Sequence, residues 1–272
     1  REAAARKRAL CIRGGGTKDF YGGELRGQPL NTGDYRGIVA YEPTELVITA
    51  RAGTPLAEIE ATLLEKGQML AFEPPHYGPA ATLGGCIAAG LSGPRRAYAG
   101  AVRDFVLGVR MLDGKGDDLK FGGQVMKNVA GYDVSRLMTG SLGTLGVLLE
   151  ISLKVLPAPA AESTLRLKCG QEQAILLMNQ WAGKPFPVTA TLYRDGELAV
   201  RLSGARIAVD AAVKQFGGTE VNPGQAEQFW TGIREHTDPF FAGEAPLWRL
   251  SVKPTTPPLG LSGGQLIEWG GA

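Results

Sequence analysis

Three glycine-rich segments constrain this chain more than any other feature. The first, Arg13-Gly14-Gly15-Gly16-Thr17-Lys18, follows the apolar run Ala9-Leu10-Cys11-Ile12. The second, Thr82-Leu83-Gly84-Gly85-Cys86-Ile87-Ala88-Ala89-Gly90-Leu91-Ser92-Gly93, follows the proline-rich Phe72-Glu73-Pro74-Pro75-His76-Tyr77-Gly78-Pro79. The third is Gly140-Ser141-Leu142-Gly143-Thr144-Leu145-Gly146-Val147. Glycine lets backbone come close to a ligand and turn its N–H groups toward it. Successive N–H groups in such a turn form a nest for an anion. Together the segments predict a long, phosphate-bearing cofactor threaded between layers. The first run is not a P-loop, because Asp19 follows Lys18, and it lacks the Rossmann glycine spacing. Arg13 and Lys18 can still neutralise a pyrophosphate. Taken singly, each run also reads as an ordinary turn or a tight crossing; their co-occurrence favours the cofactor.

At 272 residues, 44% apolar and 21% charged, the chain has the composition of a soluble globular protein with room for two domains. A net charge of +2 gives no argument for nucleic acid or an anionic membrane surface. No stretch approaches the ~20 apolar residues that span a bilayer. Cys11, Cys86 and Cys169 are far apart, so they match no zinc or iron–sulfur spacing and fit reduced thiols in a cytosolic protein. The start at Arg1-Glu2-Ala3 without Met and the stop at Gly270-Gly271-Ala272 lead us to expect a fragment lacking residues at both ends.

Periodicity predicts a helix over 2–8, strands over 9–13, 37–41 and 46–50, then a helix from Thr54-Pro55 with Thr54 as its cap and Gly67 at its end. Strands follow over 105–112, 119–121 and 146–156, with Asp113-Gly114 as a hairpin turn and a short helix over 132–138. Pro157-Ala158-Pro159 marks a domain boundary. Beyond it, strands at 163–168, 189–194 and 197–202 alternate with helices at 172–181 and 205–216. That order suggests a split βαβ sandwich. A helix over 226–234 and a strand over 247–252 complete the pattern.

In sequence order, the first run, Ala81-Thr82-Leu83-Gly84-Gly85, Ser92-Gly93 and the third run resemble the FAD-binding domain of the vanillyl-alcohol-oxidase/p-cresol-methylhydroxylase family. The resemblance covers roughly residues 5–157. Lys127-Asn128-Val129-Ala130-Gly131-Tyr132-Asp133, Trp248-Arg249-Leu250-Ser251-Val252-Lys253-Pro254 and Gln265-Leu266-Ile267-Glu268-Trp269-Gly270-Gly271-Ala272 narrow it to bacterial glycolate oxidase FAD-binding (E) subunits. It implies an α+β fold with a two-subdomain FAD-binding domain over 1–157 and a smaller α/β cap over 158–254. Residues 255–272 would begin a truncated C-terminal return segment. It also implies a subunit that passes electrons from a small 2-hydroxy acid, through flavin, to an iron–sulfur partner. A second FAD-binding glycolate oxidase subunit would complete the complex. The alternative is an electron-relay or structural subunit, with the chemistry done by the partner flavoprotein. The expected location is cytoplasmic, with peripheral attachment to the inner membrane left open.

Residue by residue, the resemblance places Gly14, Gly15, Gly16 and Thr17 on the FAD pyrophosphate, with Arg13 and Lys18 beside them. Thr82, Leu83, Gly84, Gly85, Ala88, Gly90, Ser92 and Gly93 line the pyrophosphate and flavin side. Gly140, Ser141, Gly143, Thr144, Gly146 and Val147 lie along the adenosine or isoalloxazine wall. No histidine stands in the first loop, so the expected FAD is non-covalent. His76 reads as a satisfied loop histidine. Leu142 replaces the acid common in the third loop. With only His76 and His236 in the chain, no metal site is expected. Oxidising a 2-hydroxy acid needs a base for the hydroxyl proton and a cation for the carboxylate. His236 and Arg249 are candidates, and a solvated helix end and a surface strand charge are their plainer readings.

Overall fold

The structure, a computed structural model, describes residues 1–123 and 132–272. The chain forms two compact units: Arg1–Ser92 with Gly100–Ala158, and Gly93–Ala99 with Pro159–Ala272.

In the first unit, β1 (Leu10–Arg13) pairs in parallel with β2 (Gln28–Asn31). A five-stranded sheet follows. Its members are β3 (Ile38–Glu42), β4 (Val47–Arg51), β5 (Val106–Leu112), β6 (Asp118–Gly122) and β7 (Val147–Lys154). The order is β3-β4-β7-β5-β6, and every pairing is antiparallel. Helix α1 (Leu56–Leu64) buries Leu56, Ile59 and Leu63 completely, the i, i+3, i+7 stripe of an amphipathic helix. Helix α2 (Leu83–Ala89) buries Leu83, Cys86 and Ile87.

Thr54 does not cap α1: Pro55 holds that position, and the Thr54 hydroxyl bonds both the N–H (2.9 Å) and the C=O (3.2 Å) of Gly37. Asp113-Gly114 is not a two-residue hairpin. Asp113 N–H reaches Asp117 O (3.1 Å), and the Asp113 carboxylate accepts from Lys115 and Asp117, so the loop is wider. The first helix is only Glu2–Ala5.

The second unit is an antiparallel sheet of β8 (Ala161–Lys168), β9 (Val188–Arg194), β10 (Glu197–Gly204), β11 (Thr219–Glu220) and β12 (Ile267–Glu268). The order is β11-β8-β10-β9-β12. With α3 (Gln171–Ala182) between β8 and β9 and α4 (Arg206–Phe216) between β10 and β11, this is the split βαβ arrangement with one added edge strand. Central β10 is buried from Leu198 to Ser203, so both its faces are covered. Leu198, Val200 and Leu202 pack with Met178, Trp181 and Val209 on one side. Ala199 packs with Trp230 and Ile233 of α5 (Pro223–Arg234) on the other. The period-two alternation of a strand sorts these side chains.

Residues 247–252 do not form the expected strand. The free edge beside β9 is taken instead by β12, with Tyr193 opposite Ile267 and Leu192 opposite Glu268. Residues 255–272 belong to the second unit. Gly93–Ala99 also belongs to the second unit. There the Arg95 guanidinium, buried, donates to Glu162 (2.5 Å) and Ser203 (3.2 Å).

Candidate functional site

The glycine segments meet within the first unit. A cleft of about 470 Å³ is lined by the first run, by α2 and by the third run. Its size is that of a small-molecule or cofactor site. The β1 strand delivers the first run, and Gly16 turns it through a left-handed φ of +71°. Behind it, Thr82 caps α2, its hydroxyl accepting from Gly85 N–H (3.3 Å). A Cβ on Gly14 would lie 2.3 Å from that hydroxyl, and one on Gly15 would lie 1.5 Å from the Ala80 carbonyl oxygen. The third run seals the other end of α2. Gly140 N–H donates to Ile87 O and Leu142 N–H to Ala88 O, both at 3.0 Å. A Cβ on Gly90 would stand 2.9 Å from Gly140 Cα.

Gly15 and Gly90 are therefore required first by protein backbone meeting protein backbone, and Gly14 by the Thr82 side chain. Gly85 differs: it lines the cleft, and a Cβ there would meet only Thr82 Oγ1, at 3.2 Å.

The anion-binding capacity sits in the first run. The N–H groups of Gly14, Gly15, Gly16 and Thr17 have no hydrogen-bond partner among the described residues. The amino end of α2 is not an anion site, because Leu83 N–H is taken by Thr54 O (2.9 Å) and Gly84 N–H by Ala52 O (2.7 Å). Arg13 is tied to Asp19, whose carboxylate holds the guanidinium pKa above the ordinary arginine value. Lys18 Nζ donates to His76 O (3.2 Å) and lies 5.5 Å from the Tyr77 ring centre. His76 Nε2 is 3.1 Å from Glu60 Oε2. On the third run, Ser141 Oγ lies at the cleft, buried and with no hydrogen-bond partner, and Thr139 Oγ1 nearby in sequence is likewise unsatisfied. A buried hydroxyl left unpaired is costly. The open face of Gly85, four unpaired amides and an unpaired hydroxyl fit a bound polar group with a flat body.

Of the expected residues, Arg13 to Lys18, Thr82, Gly84, Gly85, Ala88, Ser141, Gly143, Thr144 and Gly146 line the cleft. Leu83 turns into the core, 1% exposed. Gly90, Ser92, Gly93, Gly140 and Val147 are not on the lining. Ser92 Oγ instead accepts from Val102 N–H (2.9 Å), and Gly93 belongs to the second unit. Residues 127–131 of the motif quoted above lie outside the described residues. The sequence reading missed the segment Tyr21 to Arg26, which forms one wall, and Cys11, Ala52 and Ala89. The closely spaced Gly22 and Gly23 were the available signal for that wall. Cys86 is fully buried, and burial pushes its thiol up to about 12.

Arg249 and His236 come together in the second unit. Arg249 forms an ion pair with Glu268 (2.8 Å), and its guanidinium carbon lies 3.7 Å from the Trp269 ring centre. His236 stacks on Phe241 (4.3 Å); burial and then the Arg249 charge lower its pKa.

Residues 1–122 match a family described as an FAD binding domain. Over 271 residues the chain is 52% identical to glycolate oxidase subunit GlcE of Escherichia coli (strain K12), covering 100% of this chain and 76% of that protein. It is 34% identical to glycolate oxidase subunit GlcD of Bacillus subtilis (strain 168) over 47% of this chain and 27% of that one. Among solved structures, an alkyldihydroxyacetonephosphate synthase matches with a TM-score of 0.66 at 17% identity, over 87% of this chain and 55% of that chain.

Proposed function

Because the chain belongs to the family of glycolate oxidase subunit GlcE, we propose that it is the FAD-carrying subunit of a glycolate oxidase complex. Its substrate is a small 2-hydroxy acid, glycolate, which leaves as glyoxylate. The cofactor is FAD, in a fold of the vanillyl-alcohol-oxidase type. The observation that carries this reading is the cleft itself, lined by four adjacent residues whose N–H groups have no partner among the described residues.

Gly14 to Thr17 hold the pyrophosphate through their amides, and Lys18 supplies positive charge beside it. Ser141 offers its unpaired hydroxyl, and Gly85 keeps the wall free of a side chain. A bound flavin would supply the acceptor for the α-carbon hydride, while a base would have to take the hydroxyl proton. No histidine lines the cleft, which supports non-covalent attachment. Acid precipitation is therefore expected to release the flavin into the supernatant.

Electrons leave through a partner. The likeness to both subunit types of glycolate oxidase supports an assembly with a second flavoprotein subunit, and an iron–sulfur subunit completes the route. The protein works in the cytoplasm, with peripheral attachment to the inner membrane left open; no helix among the described residues is long and apolar enough to cross a membrane. The FAD-binding part spans 1–157 and the cap 158–254.

A second reading rests on the absence of a histidine base from the cleft lining and on the pairing of Arg13 with Asp19. In that reading the chain relays electrons and the partner flavoprotein oxidises the acid. The test is the visible spectrum of the full-length protein before and after anaerobic glycolate. Bleaching makes this chain the site of oxidation. An unchanged flavin spectrum favours the relay, and no flavin after reconstitution with FAD removes both.

A further inference from the structure

Two arginines from distant parts of the chain converge on one indole. Arg96, in the short Arg96–Ala99 helix of the inserted segment, places its guanidinium carbon 4.3 Å from the Trp269 ring centre. Arg249 places its own 3.7 Å from the same centre. The indole is fixed: its Nε1–H donates to Gly93 O (3.2 Å), and the next residue, Gly270, donates its N–H to Thr191 Oγ1 (3.0 Å).

The two cations are not equivalent. Arg249 is neutralised by Glu268 at 2.8 Å. Arg96 is exposed, and among the described residues its side chain makes no hydrogen bond and no ion pair; the ring is its contact. A guanidinium held over an aromatic ring without an acidic partner keeps N–H donors that can take a carboxylate with two parallel bonds. Backbone strain marks the same place. Trp269 sits at φ +55°, a left-handed region that bulky side chains avoid. Strain of this kind persists where a ligand clamp needs it. His236 lies close enough to feel the Arg249 charge.

We propose that Arg96, braced on Trp269 beside Arg249, forms a carboxylate-binding site in the second unit, whose ligand is a small 2-hydroxy acid. The site takes its cation from Arg96, not from Arg249 as the sequence suggested, because Glu268 already occupies Arg249. The identity of the acid rests on the function proposed above; the presence of a carboxylate site does not.

The test is calorimetric titration of the full-length, FAD-loaded protein with glycolate, with acetate and with sodium chloride at matched ionic strength. The variants are Arg96→Gln and Arg96→Lys. The expected result is saturable glycolate binding that weakens about tenfold or more in Arg96→Gln, the loss of a charge-assisted pair. Arg96→Lys should fall between, because it keeps the charge and loses the fork. Melting temperature and flavin content should stay at wild-type values in both, which excludes misfolding. Unchanged glycolate affinity in Arg96→Gln overturns the proposal. So does the absence of saturable binding to the wild type, and so does equal competition by chloride, the mark of an adventitious ion only. Arg96-dependent binding in a protein that takes up no flavin would sink the FAD reading and leave this one standing. Full flavin without Arg96-dependent binding does the reverse.

Discussion

Gly85→Leu separates what a cofactor demands of a glycine from what the fold demands. Gly85 is the third residue of α2 and lines the cleft, and an added Cβ meets only Thr82 Oγ1, at 3.2 Å. Glycine in a helix costs about 0.5–1 kcal/mol relative to alanine, and leucine is nearly as good as alanine. The tight approach to Thr82 takes back a few tenths, leaving a gain of about 0.5 kcal/mol. In a protein of this size that raises the melting temperature of the flavin-free form by about 1–2 °C. The remainder of the leucine side chain enters the cleft and removes the room for a flat ring. Flavin content, read from visible absorbance after reconstitution, should fall from one per chain to background. Wild-type protein should melt higher when FAD is added, by about 2.7 kcal/mol of stabilisation at a hundredfold excess over Kd, and the variant should not respond. Stoichiometric flavin in Gly85→Leu would refute the placement of the cofactor against α2. A flavin-free melting temperature several degrees below wild type would show that the space beside Gly85 belongs to the fold.

Other outcomes follow from the same geometry. Gly15→Ala drives a Cβ onto the Ala80 carbonyl, which cannot rotate away, so it should cost about 3 kcal/mol or more in denaturant titration and lose flavin as a secondary effect. Arg95→Met removes a buried guanidinium from half-exposed Glu162 and from Ser203, and should destabilise by about 2 kcal/mol, below the range for a fully buried pair. His236 has its folded-state pKa lowered by burial and by Arg249, so the unfolded chain binds its proton more readily. Its contribution is then present above the unfolded value of about 6.5 and is lost as pH falls through the folded value. His236→Gln should flatten the fall in stability between pH 7.5 and 5, measured by urea titration at each pH.

That the three glycine runs belong together was legible in the sequence, and they do line one cleft, but the reason read for them was only partly right. Glycine was read as making room for a ligand. In Gly14, Gly15, Gly84 and Gly90 it makes room for Thr82, Ala80, Ala52 and Gly140. Gly85 and the amides of the first run are left without such a claim from the protein. Such close approaches are long-range facts that no local pattern encodes. The β8–α4 part of the second unit could be read because its strands alternate and its helices carry apolar stripes. Residues 247–252 carry a strand-like pattern too, yet β12 holds the only edge beside β9 that they could have used. Strand β2 went unseen because Pro29 sits inside it, tolerable where a short strand pairs on one side only. Helix α2 hid behind two glycines at its start and is held by Thr82 and by carbonyls from Ala52 and Thr54.

The insertion of Gly93–Ala99 into the second unit has a bearing on how such a protein can be taken apart or put together. The chain enters that unit at Gly93, leaves it after Ala99 and enters it again at Pro159. A cut after Ala158 would deprive the second piece of Arg95, Arg96 and Tyr98, and would leave the first carrying a cation-rich peptide with nothing to embed it. The second unit is thus not a cassette that could be appended to a flavin-binding module, exchanged between relatives or expressed alone. Recombination that spared it would have to move two stretches of chain at once.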